Sequence, residues 1–161
     1  ETIEALRVRA VIEPLAVRMA SQRPDSSMSE LRRMAAAIVD AAKVNDFAAF
    51  QRLNHEFHRR IVESSGSKVL LRVWDSLTYE VNARSVLDSI RTVSPIAVAQ
   101  EHCDVLDAIE KGAITRAGNL LGAHTEQLAL LLEKGLRDGS ITDSKASEQG
   151  TPKKRSRRAA S

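Results

Sequence analysis

The stretch LNHEFHRRI, residues 53–61, decides how this chain reads, because it sets Phe57 and Ile61 beside Asn54, His55 and His58. Successive residues of a helix step by about 100° around its axis. On that projection Phe47, Phe50, Phe57, His58 and Ile61 fall within roughly 60° of Asn54, whereas Arg52, Arg59 and Arg60 lie on the far side. The segment is therefore an amphipathic helix whose buried face includes an amide and an imidazole one turn apart. His55 falls about 100° from Asn54 and is expected at the rim or in solvent.

Helical periodicity extends in both directions. Upstream, Ala5, Val8, Ile12, Leu15, Ala16 and Met19 recur at helical spacing from Thr2 to about Gln22, with Pro14 as an expected bend. Ser27 with Glu30 fits a capping box for a second helix reaching about Val44. Asp46 can cap the third, which holds LNHEFHRRI. Downstream, the pattern predicts a fourth helix over about Lys68–Ile90 and a fifth launched by Ser94 as cap and Pro95 as first helical residue. Gly112 closes the fifth, and a Leu-rich sixth runs from about Ile114 to Leu136. No segment alternates as a strand would, so the expected fold is all-α, an antiparallel bundle of six or seven helices.

The 161 residues suffice for one domain with a real core. Seven Gly, four Pro and 43% apolar residues are the composition of a folded helical protein. A single cysteine, Cys103, excludes an internal disulfide framework and points to a reducing compartment. No apolar run approaches the roughly 18 residues of a membrane span, and no signal peptide is evident. A cytoplasmic protein without membrane contact is the expectation. The net charge of +3 invites a nucleic-acid reading, but residues 145–161 carry six bases against one acid, leaving the first 144 residues slightly acidic. A body without a basic face is a poor DNA-binding surface. Residues 1–137 are expected to form the helical domain and 138–161 a disordered basic tail.

The remaining histidines follow the same geometry. His102 falls in line with Val98, Val105, Leu106 and Ile109, and His124 with Ala117, Leu121, Leu128 and Leu131, so both point to the core. Each alone could be a core histidine with an ordinary hydrogen bond. Three helices aiming imidazoles into one small bundle are better explained by shared coordination of a metal ion. Asn54, His58, His102 and His124 are the candidate ligands, and neutral imidazoles favour a divalent ion, Zn or Ni foremost. Cys103 is about 100° from His102 around its helix and reads as a packing residue. No carboxylate is expected inside the cluster, since Glu56 and Glu101 both project away from their apolar stripes.

Three segments together resemble the FCD-type ligand-sensing domain of the FadR subfamily of GntR transcription regulators, over about residues 4–132. EALRVRAVIEPLAVRMA is similar to that domain's first helix, with Arg9 and Glu13 in its R-x-x-x-E pattern. NHEFHRRIVESSGSKVL and QEHCDVLDAIEKGAITRAGNLLGAHTEQL resemble its D-x-x-F-H and E-H…H motifs. The resemblance implies the same four metal ligands, with Asn54 where the family often has Asp. It also implies a winged helix-turn-helix before this domain, which no segment here supplies.

The leading expectation is thus a non-enzymatic sensor domain that binds a small carboxylate metabolite, with the metal as anchor and no catalytic residue. DNA would be contacted only through the absent N-terminal domain, and a homodimer is expected because paired half-sites need paired readers. Arg84, on the apolar stripe of the fourth helix, and Arg9, on the margin of the first and implied by the resemblance, are the candidate effector-binding cations. The alternative is a helical metal-dependent hydrolase, which the missing His-Asp pair and the missing carboxylate base disfavour.

Overall fold

A computed structural model describes residues 1–23, 27–78, 81 and 83–141, and for residues 83 and 84 the backbone alone. Seven helices occupy the described residues: α1 Thr2–Ala20, α2 Met28–Lys43, α3 Phe47–Ser64, α4 Lys68–Thr78, α5 Ala83–Ile90, α6 Pro95–Glu110 and α7 Ile114–Arg137. The fold is an all-α bundle, as the periodicity predicts. α1 lies against α7, α3 and α4, while α2 packs on α3 and α6, and α6 on α7. Trp74, Phe50, Phe57, Leu6, Ile38 and Leu106 fill the interior. No helix among the described residues is long and apolar enough to cross a membrane.

Local chemistry sets the helix ends. Asp46 accepts a hydrogen bond from the Ala49 amide and Ser94 one from the Ala97 amide, each satisfying a donor that the first helical turn leaves over. Gly112, at φ +70°, reverses the chain between α6 and α7 in a conformation that costs other residues strain.

Two local expectations are corrected. The Ser27–Glu30 capping box does not form: Ser27 makes no side-chain cap bond, and the Glu30 carboxylate instead meets Arg60 of α3 at 3.0 Å. The segment 68–90 is two helices rather than one, because α4 packs on α1 and α3 while α5 packs on α7, and one straight rod cannot serve both. Pro14, the expected bend, lies inside α1, which continues through it to Ala20. Proline has no N–H to give the Ala10 carbonyl, and Gly118 and Gly122 of α7 take up the space beside this pair. A Cβ at Gly122 would stand 2.9 Å from the Ala10 oxygen and 3.0 Å from Pro14 Cγ. The two glycines thus let α7 approach α1 backbone to backbone.

The body of the bundle extends past α7. After Gly139 the chain folds back and buries Ile141 against Gly135, where a Cβ would lie 2.3 Å from its methyl group.

Candidate metal centre and effector cavity

His58 of α3, His102 of α6 and His124 of α7 are all buried, and they offer three ligand nitrogens within 4.8 Å of one another, close enough to hold one metal ion. Their rings lie 5.5 Å (58 to 102), 5.3 Å (58 to 124) and 4.6 Å (102 to 124) apart. Helical register produces this convergence, since each histidine sits within its helix's buried stripe.

The tautomers follow from what Nδ1 meets. His58 Nδ1 lies 2.9 Å from Glu13 Oε2, His102 Nδ1 3.0 Å from the Ala99 carbonyl, and His124 Nδ1 2.6 Å from Glu101 Oε2. All three partners are acceptors, so Nδ1 donates in every case, and in the neutral ring Nε2 is left with a lone pair. His58 Nε2 and His124 Nε2 are buried and have no hydrogen-bond partner. Two buried lone pairs without a partner carry a cost that a bound cation removes. His102 Nε2 faces Asn54 Oδ1 at 2.8 Å. Two lone pairs at that separation are reconciled by a cation that accepts both, or by an amide turned to present its N–H. The donor set thus fits a divalent ion of the histidine-loving kind, and the outward-facing nitrogens have the acceptor partners that metal-bound imidazoles require.

Protonation is tuned to the same end. Burial pushes the pKa of His58 below the ordinary imidazole value, with Glu13 opposing it. His102 is pushed well below by burial and then by the neighbouring His124 and His58. Metal ligation needs neutral imidazoles, and burial supplies them.

Glu13 was the principal residue hidden from the sequence reading. It is fully buried and accepts four hydrogen bonds: from Arg9 Nε (2.9 Å), Trp74 Nε1 (2.8 Å), Thr125 Oγ1 (2.8 Å) and His58 Nδ1. Burial works against its charge, yet the neighbouring His58 and Arg9, with the His58 and Trp74 donors, hold its pKa well below the usual carboxylate range. On the stripe read from the sequence, Ala5, Val8, Ile12, Leu15, Ala16 and Met19, residue 13 is well off-centre; the buried face instead carries Ala5, Leu6, Arg9, Ala16 and Val17, and Glu13 lies within it. Glu101 also departs from expectation. Although its side chain is 46% exposed, its carboxylate turns back to His124.

Arg9 is buried rather than marginal, with its guanidinium 4.7 Å from the centre of the Trp74 ring. It forms part of the wall of a cavity of about 140 Å³ shared with Asn54, His55, His58 and Thr125. An apolar cavity of similar size, about 150 Å³, admits benzene, so this one admits a ligand of comparable bulk. His55 lines it at the rim, tilted against Trp74 at 5.1 Å, with its Nε2 buried and unpartnered. A larger groove between α6 and α7, of about 550 Å³, carries Glu101 and Asp104 and so repels an anion. The side chain of Arg84 and the basic segment 145–161 lie outside the described residues.

This fold is that of a regulatory domain. The chain belongs to the FCD domain family, whose pattern it matches over residues 4–127. It is also 28% identical over 125 residues to a probable D-xylose utilization operon transcriptional repressor of Paenarthrobacter nicotinovorans, covering 77% of this chain. The matched region spans 54% of that relative, so this chain corresponds to about half of its length.

Proposed function

We propose that the chain is the effector-binding domain of a GntR-type transcription regulator, binding a small organic acid beside a divalent metal ion and acting on DNA through a separate winged-helix domain. A regulatory role rests on the FCD family membership and on the repressor relative. The observation that carries the metal is the pair of orphaned, buried Nε2 atoms of His58 and His124, each on a ring whose other nitrogen is anchored to a carboxylate. His58, His102, His124 and Asn54 would hold the ion, with Zn or Ni favoured by imidazole ligands. When bound, the ion supplies a Lewis-acidic centre that an effector carboxylate can meet.

The chain's own residues do the rest. Arg9 supplies the fixed positive charge in the cavity wall, and its Glu13 and Trp74 contacts hold the guanidinium in place. Leu6, Phe50 and Leu128 exclude water along the apolar side, while Asn54, His55 and Thr125 offer polar contacts to hydroxyl groups. Arg84 is a second cationic candidate. The relative's name ties that protein to D-xylose utilization, so D-xylose and the aldonic acid derived from it are natural members of a screen. Regulators of this type act on DNA as homodimers in the cytoplasm, and effector binding would favour one arrangement of the pair.

Against a hydrolase, the two carboxylates nearest the cluster, Glu13 and Glu101, are both bonded to imidazoles and hold them as ligands rather than standing ready as bases. The deciding experiment combines metal analysis of protein purified without added metal with a thermal-shift screen of sugars and organic acids on the loaded protein. A ligand at a hundred times its dissociation constant adds about 2.7 kcal/mol. Metal-free protein that neither takes up Zn or Ni nor responds to any acid would overturn the reading.

A further inference from the structure

The inner face of α1 is wired to the histidines, but its outer face is apolar and bare. Val8, Val11 and Leu15 recur at i, i+3 and i+7 and are 43%, 72% and 39% exposed. On the adjoining α4, Val69 and Val73 are also exposed. Asp75 of α4 reaches Arg59 of α3 at 3.0 Å. Val69 and Val73 stand roughly 120° and 160° round the helix from Asp75, away from the side that meets α3. Three aliphatic side chains aligned on one face of α1 make a band rather than the scattered exposures of an ordinary surface, and two more are exposed on the α4 packed against it.

Opposite charges terminate this band along α1. Glu4 lies one turn before Val8, and Arg18 lies three residues after Leu15. Both are exposed, and Arg18 makes no side-chain hydrogen bond or ion pair among the described residues. Positions 4 and 18 are centred on Val11, the most exposed of the stripe, and positions 8 and 15 are centred just beyond it.

We propose that this band is a self-association surface on which a second copy of the chain lays its α1 antiparallel to the first, about a twofold axis near Val11. Val8 then meets the partner's Leu15, Val11 meets the partner's Val11, and Glu4 comes within reach of the partner's Arg18, each contact occurring twice as an isologous interface demands. A parallel pairing would set Glu4 against its own copy and Arg18 against its own, and is disfavoured by like charge. A self-complementary charge pattern is what a second copy requires and an unrelated partner does not. The inference rests on the homodimer reading above and adds its surface and direction.

Sedimentation velocity of the 161-residue chain across the micromolar range tests it. The expected result is a dimer for the natural chain and a monomer for Val11→Glu, whose exposed position leaves the helical circular dichroism unchanged. Glu4→Arg should raise the dissociation constant about tenfold, since the pair recurs twice, and Glu4→Arg with Arg18→Glu should restore it. A dimeric Val11→Glu protein would overturn the surface and leave the dimer reading standing. A double swap no better than the single one would overturn the antiparallel pairing. A natural chain that is monomeric throughout would sink both.

Discussion

Glu13 and His58, 45 residues apart in sequence, share a 2.9 Å hydrogen bond at the centre of the bundle, where both side chains are almost wholly excluded from solvent. Glu13→Gln keeps the volume but replaces one acceptor oxygen with a donor, facing it toward donors, and leaves the Arg9 charge buried without its partner. Loss of one member of a buried pair costs about 3–5 kcal/mol. Metal affinity should fall about 10–100-fold, the usual cost of losing a carboxylate behind a ligand histidine. Urea denaturation and competition with a chromophoric chelator measure the two effects; unchanged metal affinity would separate Glu13 from the metal site.

Chelation offers a second check. A chelator should lower the melting temperature of the natural chain and leave that of a His58→Ala, His102→Ala, His124→Ala variant unmoved. A chelator-insensitive natural chain would mean that no ion contributes.

Acid should destabilise the metal-free protein. Burial holds His58 and His102 below their ordinary value. Above about pH 6.5 native and unfolded chains both carry the neutral rings. As the pH falls below that value, the unfolded chain takes up protons that the native one refuses, so stability declines with a slope approaching about 1.4 kcal/mol per pH unit for each ring. Glu13, held low in the native state, adds a further loss below about pH 4.3. Urea midpoints between pH 8 and 5 report the histidine part, and a flat profile would contradict it.

Asn54→Asp tests whether the amide is a ligand. Its Oδ1 already stands 2.8 Å from His102 Nε2. A carboxylate there should tighten Zn or Ni binding and, by cancelling one positive charge, weaken an anionic effector. Metal affinity that does not rise would place residue 54 outside the coordination shell.

Two glycines should respond for different reasons. Gly122→Ala gains up to about 1 kcal/mol of helix propensity, but its Cβ meets the Ala10 backbone carbonyl and the rigid Pro14 ring, neither of which can swing aside. A net loss of about 1–2 kcal/mol is expected from overpacking. Gly112→Ala meets nothing within 4 Å, so its loss of about 1 kcal/mol comes from the +70° φ alone. Thermal denaturation of both variants is the measurement.

Much of this site was legible in sequence because the helical period fixes where a side chain points. His58, His102 and His124 each fell within an apolar stripe, and the bundle gathers them. Glu13 stands out in the sequence only as the end of an R-x-x-x-E pattern, and its burial behind His58 was hidden because its partners Trp74 and Thr125 come from remote helices. The division of 68–90 into two helices was hidden for a similar reason: the apolar stripe runs through it, and only the separate packing of α4 and α5 breaks it. The capping box was overridden by Arg60, a competitor 30 residues from Glu30.

The four donors on Glu13 come from α1, α3, α4 and α7. These helices are therefore not independent parts. Like spokes pinned to one hub, they can shift only in combinations that keep four short bonds intact, and this leaves the bundle very few ways to move. A small molecule pressing on the cavity wall would select among those few. In the sensor role proposed above, that economy of motion would serve a switch between two arrangements rather than a continuum.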